Sequence, residues 1–294
     1  MRVYSRKYFR HAAAGLISAA IFVWPALCAE IAAPIPNLSG QWGRTGLFHF
    51  EPPLSGPGPV TNTSRLPDTR ERVGDYTNPI LTPRAAEIVR RRGDAQLAGI
   101  NFPDPRNQCR PEPPPFILAL EFEVQILQQK DQVSILYIYG HQVRRIRLHG
   151  SHPNPATPSW YGDSIGHYEG DTLVVDTVGI KTGPLSMVDI FGTPHSEALH
   201  VVERYRLIGG EAASKAVPTR RTPFGSEIDP DIKKDGLQVA FTVEDPGAFT
   251  MPWSAIVTYR PLLGEWQEVV CAENNGVYFR YDANPFPHAD KPDF

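Results

Sequence analysis

The amino-acid sequence predicts an all-β protein: an antiparallel β-barrel of about eight to nine strands with a Pro-rich irregular N-terminal arm containing one helix. Three observations predict it. From residue 119 onward, apolar and polar residues alternate in short runs separated by turn residues, the period of half-buried strands. Links such as "QKDQ" and "EGD" are too short for crossover helices, so successive strands run antiparallel. Eight or nine such strands close on themselves, which removes exposed edges and encloses room for one small ligand.

In chain order, Arg2, Arg6, Lys7 and Arg10 precede an apolar run from Ala12 to Ala26 and the small residues Cys28 and Ala29. That is the pattern of an export signal over residues 1–29, and it places the mature chain in the periplasm or outside the cell. The run is too short for a comfortable span, and no later segment is long and apolar, so no integral membrane segment is expected after cleavage. Cleavage removes four cationic and no acidic residues, taking the formal net charge from −3 to −7. An acidic chain whose longest basic block is Arg90–Arg92 is a poor partner for nucleic acid.

Proline, 30 of 294 residues, concentrates before residue 116, as in "FEPPLSGPGP" and "PDPRNQCRPEPPPF". Lacking the amide donor, such a segment cannot supply central strands, so residues 30–118 read as an arm packed over a barrel formed by 119–294. One helix interrupts the arm, with Thr82 as cap, Pro83 at the first helical position and Gly93 as the stop. Cys109 and Cys271 remain after cleavage, and in an oxidising compartment they are expected to pair. No C-x-x-C or Cys/His spacing marks structural zinc.

The alternating runs place strands at 120–128, 133–140, 142–149, 163–169, 172–179, 199–208, 236–244, 253–260 and 265–271, with a short further one at 277–281. Following them alternately up and down gathers loops 150–162, 180–198 and 245–252 at one rim, with His149, His152, Trp160, His195, Asp245 and Trp253. Such a mixture of aromatic surface and titratable groups suits a ligand mouth. In "LHVVERYRL", Glu203 shares a face with Leu199, Val201, Tyr205 and Leu207, so it needs a partner or a raised pKa. Arg145, alternating with Val143, is the partner this pattern suggests, and a purely structural Glu–Arg pair is an equal alternative. Asp176 sits in "LVVDTVG", where both faces are apolar and its direction stays open.

Gly162, Ser164 and Gly166 form a G-x-S-x-G pattern, but "HYEGDTLVVDTVG" follows, a hairpin rather than the helix a nucleophile elbow requires. The same stretch, "PSWYGDSIGHYEGDTLVVDTVG", with "PHSEALHVVERYR", "VEDPGAFTMPW" and "EVVCAENN", resembles a large group of exported bacterial proteins of unassigned function. That resemblance implies export and a β-barrel core, and no named chemistry. Separately, "LSGQW" at Leu38 to Trp42 is similar to the G-x-W start of lipocalin-like barrels, with Arg280 as a partner for the Trp.

For metals, Glu197 and His200 point to opposite faces of a strand, and no His pair has ligand spacing beside a carboxylate, so no metal is expected. Without a Gly-rich phosphate loop, no nucleotide cofactor is expected either. Two functions are compatible with these residues. One is a cofactor-independent lyase, isomerase or hydrolase acting on a small apolar or aromatic molecule. There His195, Glu203 and Asp176 are the catalytic candidates, and Arg145, Trp160, Trp253 and Asp245 hold the ligand. The other is a lipocalin-like binding or carrier protein for a small hydrophobic ligand, in which the charges are structural.

Overall fold

Among the described residues alternation gives ten strands, nine of which form a barrel: β1 (Gly40–Gly43), β2 (Val124–Gln128), β3 (Gln132–Tyr137), β4 (Gln142–Arg147), β5 (Asp163–Glu169), β6 (Thr172–Val178), β7 (His200–Ile208), β8 (Glu227–Ile228), β9 (Gly236–Glu244) and β10 (Trp253–Leu263). The computed structural model describes residues 35–44, 50–64, 72–100, 102–120, 123–264 and 268–271. The chain divides into a short unit, Met1–Ala32, and a large one, Ala33–Phe294, which holds every described residue. The expected signal segment, the strand at 277–281 and Arg280 lie outside the described residues, as do positions 265–267 of the expected 265–271 strand.

Nine strands close in the order β1-β2-β3-β4-β5-β6-β7-β9-β10, and β10 returns to β1; β8 lies outside this ring and pairs with Leu262 and Leu263 of β10. An odd number of strands cannot alternate direction all the way round a closed barrel. One junction has to be parallel, and it is β4–β5, held by the pairing of Arg147 with Ile165. The segment 148–162 therefore crosses from one rim to the other, the length a parallel connection needs. This corrects strict alternation and moves His149 to the far rim, where its imidazole faces Asp131 in the β2–β3 turn at 3.4 Å. The late part of the crossover does reach the first rim, where the Ser159 N–H donates to the Gly179 carbonyl at 3.0 Å.

Period-two side chains fill the interior. Val201, Glu203 and Tyr205 of β7 face Leu237, Val239, Phe241 and Val243 of β9 and Ala255, Val257 and Tyr259 of β10, all buried. At the 169–172 hairpin, Gly170 takes the left-handed region at φ 60°, which glycine adopts without steric cost.

The arm does more than cover the core. Its residues Gly40–Gly43 are the stave that closes the barrel between β2 and β10. Trp42 of "LSGQW" enters the interior, and its indole N–H donates to the Leu38 carbonyl at 3.0 Å. Helix α1 (Pro83–Leu97) begins as expected, with the Ala85 N–H donating to the Thr82 hydroxyl. It runs past Gly93, which is a packing residue and not a stop: a Cβ there would sit 3.1 Å from Val73 Cγ1. Two shorter helices, α2 (Phe116–Ala119) and α3 (Gly210–Ala216), carry no clear capping signal in the sequence. Cys109 and Cys271 form a disulfide with Cα atoms 5.6 Å apart. Joining positions 162 residues apart, it is expected to contribute about 2–4 kcal/mol.

Candidate active site

Inside the barrel, Glu203 is fully buried, and its partner is Arg144. Arg144 Nη1 donates to Glu203 Oε1 at 2.8 Å, and Nη2 contacts Oε2. The guanidinium also donates to Thr177 Oγ1 at 2.8 Å and Ser164 Oγ at 3.1 Å, while the Tyr205 hydroxyl donates to Glu203 Oε1 at 2.8 Å. Burial works against the Arg144 charge, but the Glu203 charge and hydrogen bonds outweigh it and raise the pKa. Burial, then the Glu203 charge, push the Tyr205 phenol well above its ordinary value. Ser164 is thus a buried residue within β5, paired with Thr177 of β6 and hydrogen-bonded to Arg144. Arg145 points outward beside Val143, which is 45% exposed. Period two was the right rule; the apolar Val143 signalled the wrong face.

A different arrangement occupies the rim where 179–199 meets 245–252. Asp245, buried, accepts the Ser196 N–H at 2.6 Å, the Ser196 hydroxyl at 2.6 Å and the Gly247 N–H at 2.9 Å. The approach is close enough to require glycine, since a Cβ on Gly247 would lie 2.7 Å from Ser196 Cβ. With Ser196 locked, its carbonyl faces His195 Nδ1 at 3.0 Å. A carbonyl only accepts, so Nδ1 carries the proton and Nε2 presents a lone pair.

That Nε2 is buried and has no hydrogen-bond partner, and the His195 residue is only 9% exposed. His195 lines a cavity of about 270 Å³ together with Arg84, Thr182, Ser196, Glu197 and Ala248. Burial lowers the His195 pKa, against smaller opposing effects of the Ser196 carbonyl and Asp245, so the ring is held neutral. Arg84, at the start of α1, makes no ion pair among the described residues. The cavity lining thus combines an imidazole with its tautomer fixed, the Arg84 cation and the Glu197 carboxylate.

Asp176 lies on the outer face of β6. Its Oδ1 is 3.0 Å from His200 Nε2 and 3.3 Å from His152 Nε2, and His152 Nδ1 is 2.7 Å from Asp163 Oδ2. Arg147 also reaches Asp163, at 2.8 Å. Among the described residues no group of three or more His, Cys, Asp or Glu side chains is arranged to hold a metal ion.

Neither tryptophan walls the His195 cavity. Trp160 is 40% exposed under Lys181, whose Nζ is 5.1 Å from the ring centroid. Trp253 is buried among Phe50, Phe241 and Phe249, with centroids 5.6–6.0 Å away. Of the predicted site residues, the fold brings His195 and Asp245 together and keeps Glu203, Asp176, Arg145 and the tryptophans apart from them.

Sequence reasoning passed over Glu112. Its carboxyl is buried, with Oε2 accepting from Gln142 Nε2 at 2.8 Å and Oε1 unpartnered. Desolvation raises its pKa to about 8. In "RPEPPPF" nothing distinguishes it from a solvated loop residue, because burial of a Pro-rich loop leaves no periodic signal.

Among the described residues no helix is long and apolar enough to cross a membrane. Compared with family models, with curated proteins and with solved structures, the chain matches none.

Proposed function

We propose that the protein is a cofactor-independent enzyme of the lyase or isomerase type, in which His195 Nε2 removes a proton from a small carboxylate. One observation carries this reading: a buried, unpartnered imidazole nitrogen belongs to a residue that lines a cavity. A buried polar atom left unsatisfied is costly, and native structures tolerate it mainly where a ligand or reaction uses it. Arg84 supplies the charge that would hold a carboxylate or an enolate-like intermediate. Asp245 acts as a positioning residue, through Ser196, and its own oxygens are engaged with backbone and hydroxyl donors. The Ser196 hydroxyl donates to Asp245, which argues against Ser196 as a nucleophile.

With the tryptophans away from this cavity and Arg84 on its wall, the favoured substrate is a small polar acid in place of the apolar or aromatic molecule suggested by the sequence. An oxidising location, periplasmic or secreted, is supported by the disulfide together with the N-terminal signal pattern.

Deuterium incorporation next to the carbonyl of short 2-oxo acids, followed by proton NMR in D₂O, tests the reading. His195→Asn retains a donor toward the Ser196 carbonyl while removing Nε2, and is expected to slow exchange at least about a hundredfold. Equal exchange by the wild-type protein and the folded variant would discard His195 as the base.

A further inference from the structure

A second cavity, of about 410 Å³, opens where the disulfide meets the β3–β4 turn, and the His195 site makes no use of it. Cys109, Arg110 and Pro111 form one wall, Val270 and Cys271 another, and Tyr139, His141, Gln142, Val143 and Tyr161 complete it. Going round the barrel, β3 and β4 are remote from β7 and β9, so the two cavities belong to different sectors of one rim.

The polar groups of this wall are turned into the protein. Gln142 donates to Glu112 Oε2 at 2.8 Å and to the Tyr139 carbonyl at 3.2 Å, and its Oε1 accepts the Glu112 N–H at 2.7 Å and the Tyr161 hydroxyl at 2.9 Å. The Tyr139 hydroxyl contacts Cys271 Sγ at 3.0 Å and the Arg106 carbonyl at 3.2 Å. What the cavity is offered is therefore ring surface, Pro111, Val143, Val270 and the disulfide. Arg110 and His141 line it and no carboxylate does. Among the described residues Arg110 is paired with no acid. The volume falls in the range of small-molecule sites, with an apolar lining and few polar groups, as such sites have.

From these features we infer that the cavity beside the Cys109–Cys271 bridge binds a small aromatic carboxylate, its ring against Tyr139, Tyr161 and Val143 and its charge toward Arg110. The walls come from segments 162 residues apart, so the bridge is what holds the pocket's shape.

The probe is 2-naphthoate, titrated against the oxidised full chain, with fluorescence for affinity and NMR shifts for position. Binding is expected to perturb Tyr161 and His141 and leave His195 unmoved. Arg110→Gln, at an exposed position outside the His195 site, is expected to weaken it roughly tenfold, and the neutral naphthalene-2-carboxamide should bind the wild-type protein as weakly. Reduction of the bridge is expected to abolish it. No saturable binding, shifts confined to His195, or an affinity indifferent to Arg110→Gln and to the carboxamide would each overturn the inference. Because Arg110→Gln leaves the bridge and the barrel intact, a folding defect on reduction does not remove the test. Failure here leaves the exchange assay on His195 unaffected, as the two cavities share no residue.

Discussion

Glu203 and His195 are both withdrawn from water, yet they solve burial in opposite ways. Glu203 accepts from Arg144 on both oxygens and from Tyr205 on one, and Arg144 is in turn held by Ser164 and Thr177. His195, which lines a cavity, satisfies one nitrogen with a backbone carbonyl and leaves the other buried without a partner. Burial alone therefore does not mark a functional group. The difference lies in satisfaction: a closed network has no valence left for a ligand, while an open one is stabilised elsewhere, here by the Asp245–Ser196 lock.

The largest effect should come from the closed network. Glu203→Gln leaves the Arg144 charge buried without a counter-charge, and breaking such a pair costs about 3–5 kcal/mol. Urea unfolding is expected to show that loss, while deuterium exchange per folded molecule stays close to wild type. A variant that unfolds like the wild type but has lost exchange would break the comparison, because Glu203 would then be doing the chemistry. Replacing both partners, Arg144→Met with Glu203→Leu, is expected to recover most of the loss, since apolar pairs of similar volume substitute well for buried ions.

The strands were legible because period two survives in nearly every one of them; those drawn at 163–169 and 236–244 match β5 and β9 to the residue. Glu203 was legible as an inward carboxylate for the same reason. Its partner was not, because β4 reads "QVRRIR", where each of two adjacent arginines alternates with an aliphatic residue. The folded chain exposes Val143 and Arg145 and buries Arg144, which is therefore the inward one. The closing stave at Gly40–Gly43 is four residues long, too short for a period to declare itself among prolines. The parallel β4–β5 junction follows from closing nine strands, a count that depends on finding that stave. For His195, sequence order put it in a rim loop, but the empty Nε2 is a property of the folded site and has no counterpart in the local sequence.

Glu112 lies between the two extremes, with one oxygen satisfied and one not, and this sharpens the comparison through pH. Its folded pKa, raised to about 8 by desolvation, exceeds the ordinary 4.5. Between those values the native state keeps a proton that the unfolded state has released. Stability contributed by this group therefore falls as pH rises from about 4.5 to 8. Glu112→Gln keeps an acceptor for Gln142 and cannot ionise, so it is expected to be more stable than the wild type at pH 8 by roughly 2–4 kcal/mol, and nearly equal to it at pH 4.5. Thermal melts across that range measure the difference, and parallel curves for the two proteins would show that the carboxyl is not held neutral.

The smallest effect on stability should come from the open site, and its sign is opposite. Burial lowers the folded pKa of His195 below the ordinary 6.5. As pH falls through 6.5, the unfolded chain takes up a proton that the native ring refuses, so the wild-type protein loses stability toward acid. His195→Asn removes that proton uptake while retaining the donor to the Ser196 carbonyl. At pH 8, where His195 is neutral in both states, the variant is expected to differ from the wild type by less than about 1 kcal/mol, because the lost Nε2 had no partner to forfeit. At pH 5 it should compare more favourably than at pH 8. Exchange should behave in the converse way: wild-type activity should persist below pH 6.5 before its acid limb falls, since the base stays unprotonated there. An imidazole resonance that titrates at or above 6.5, or a variant whose deficit is as large as that of Glu203→Gln, would mean that Nε2 is satisfied in solution. The distinction between a closed interior and an open rim would then collapse into two structural networks.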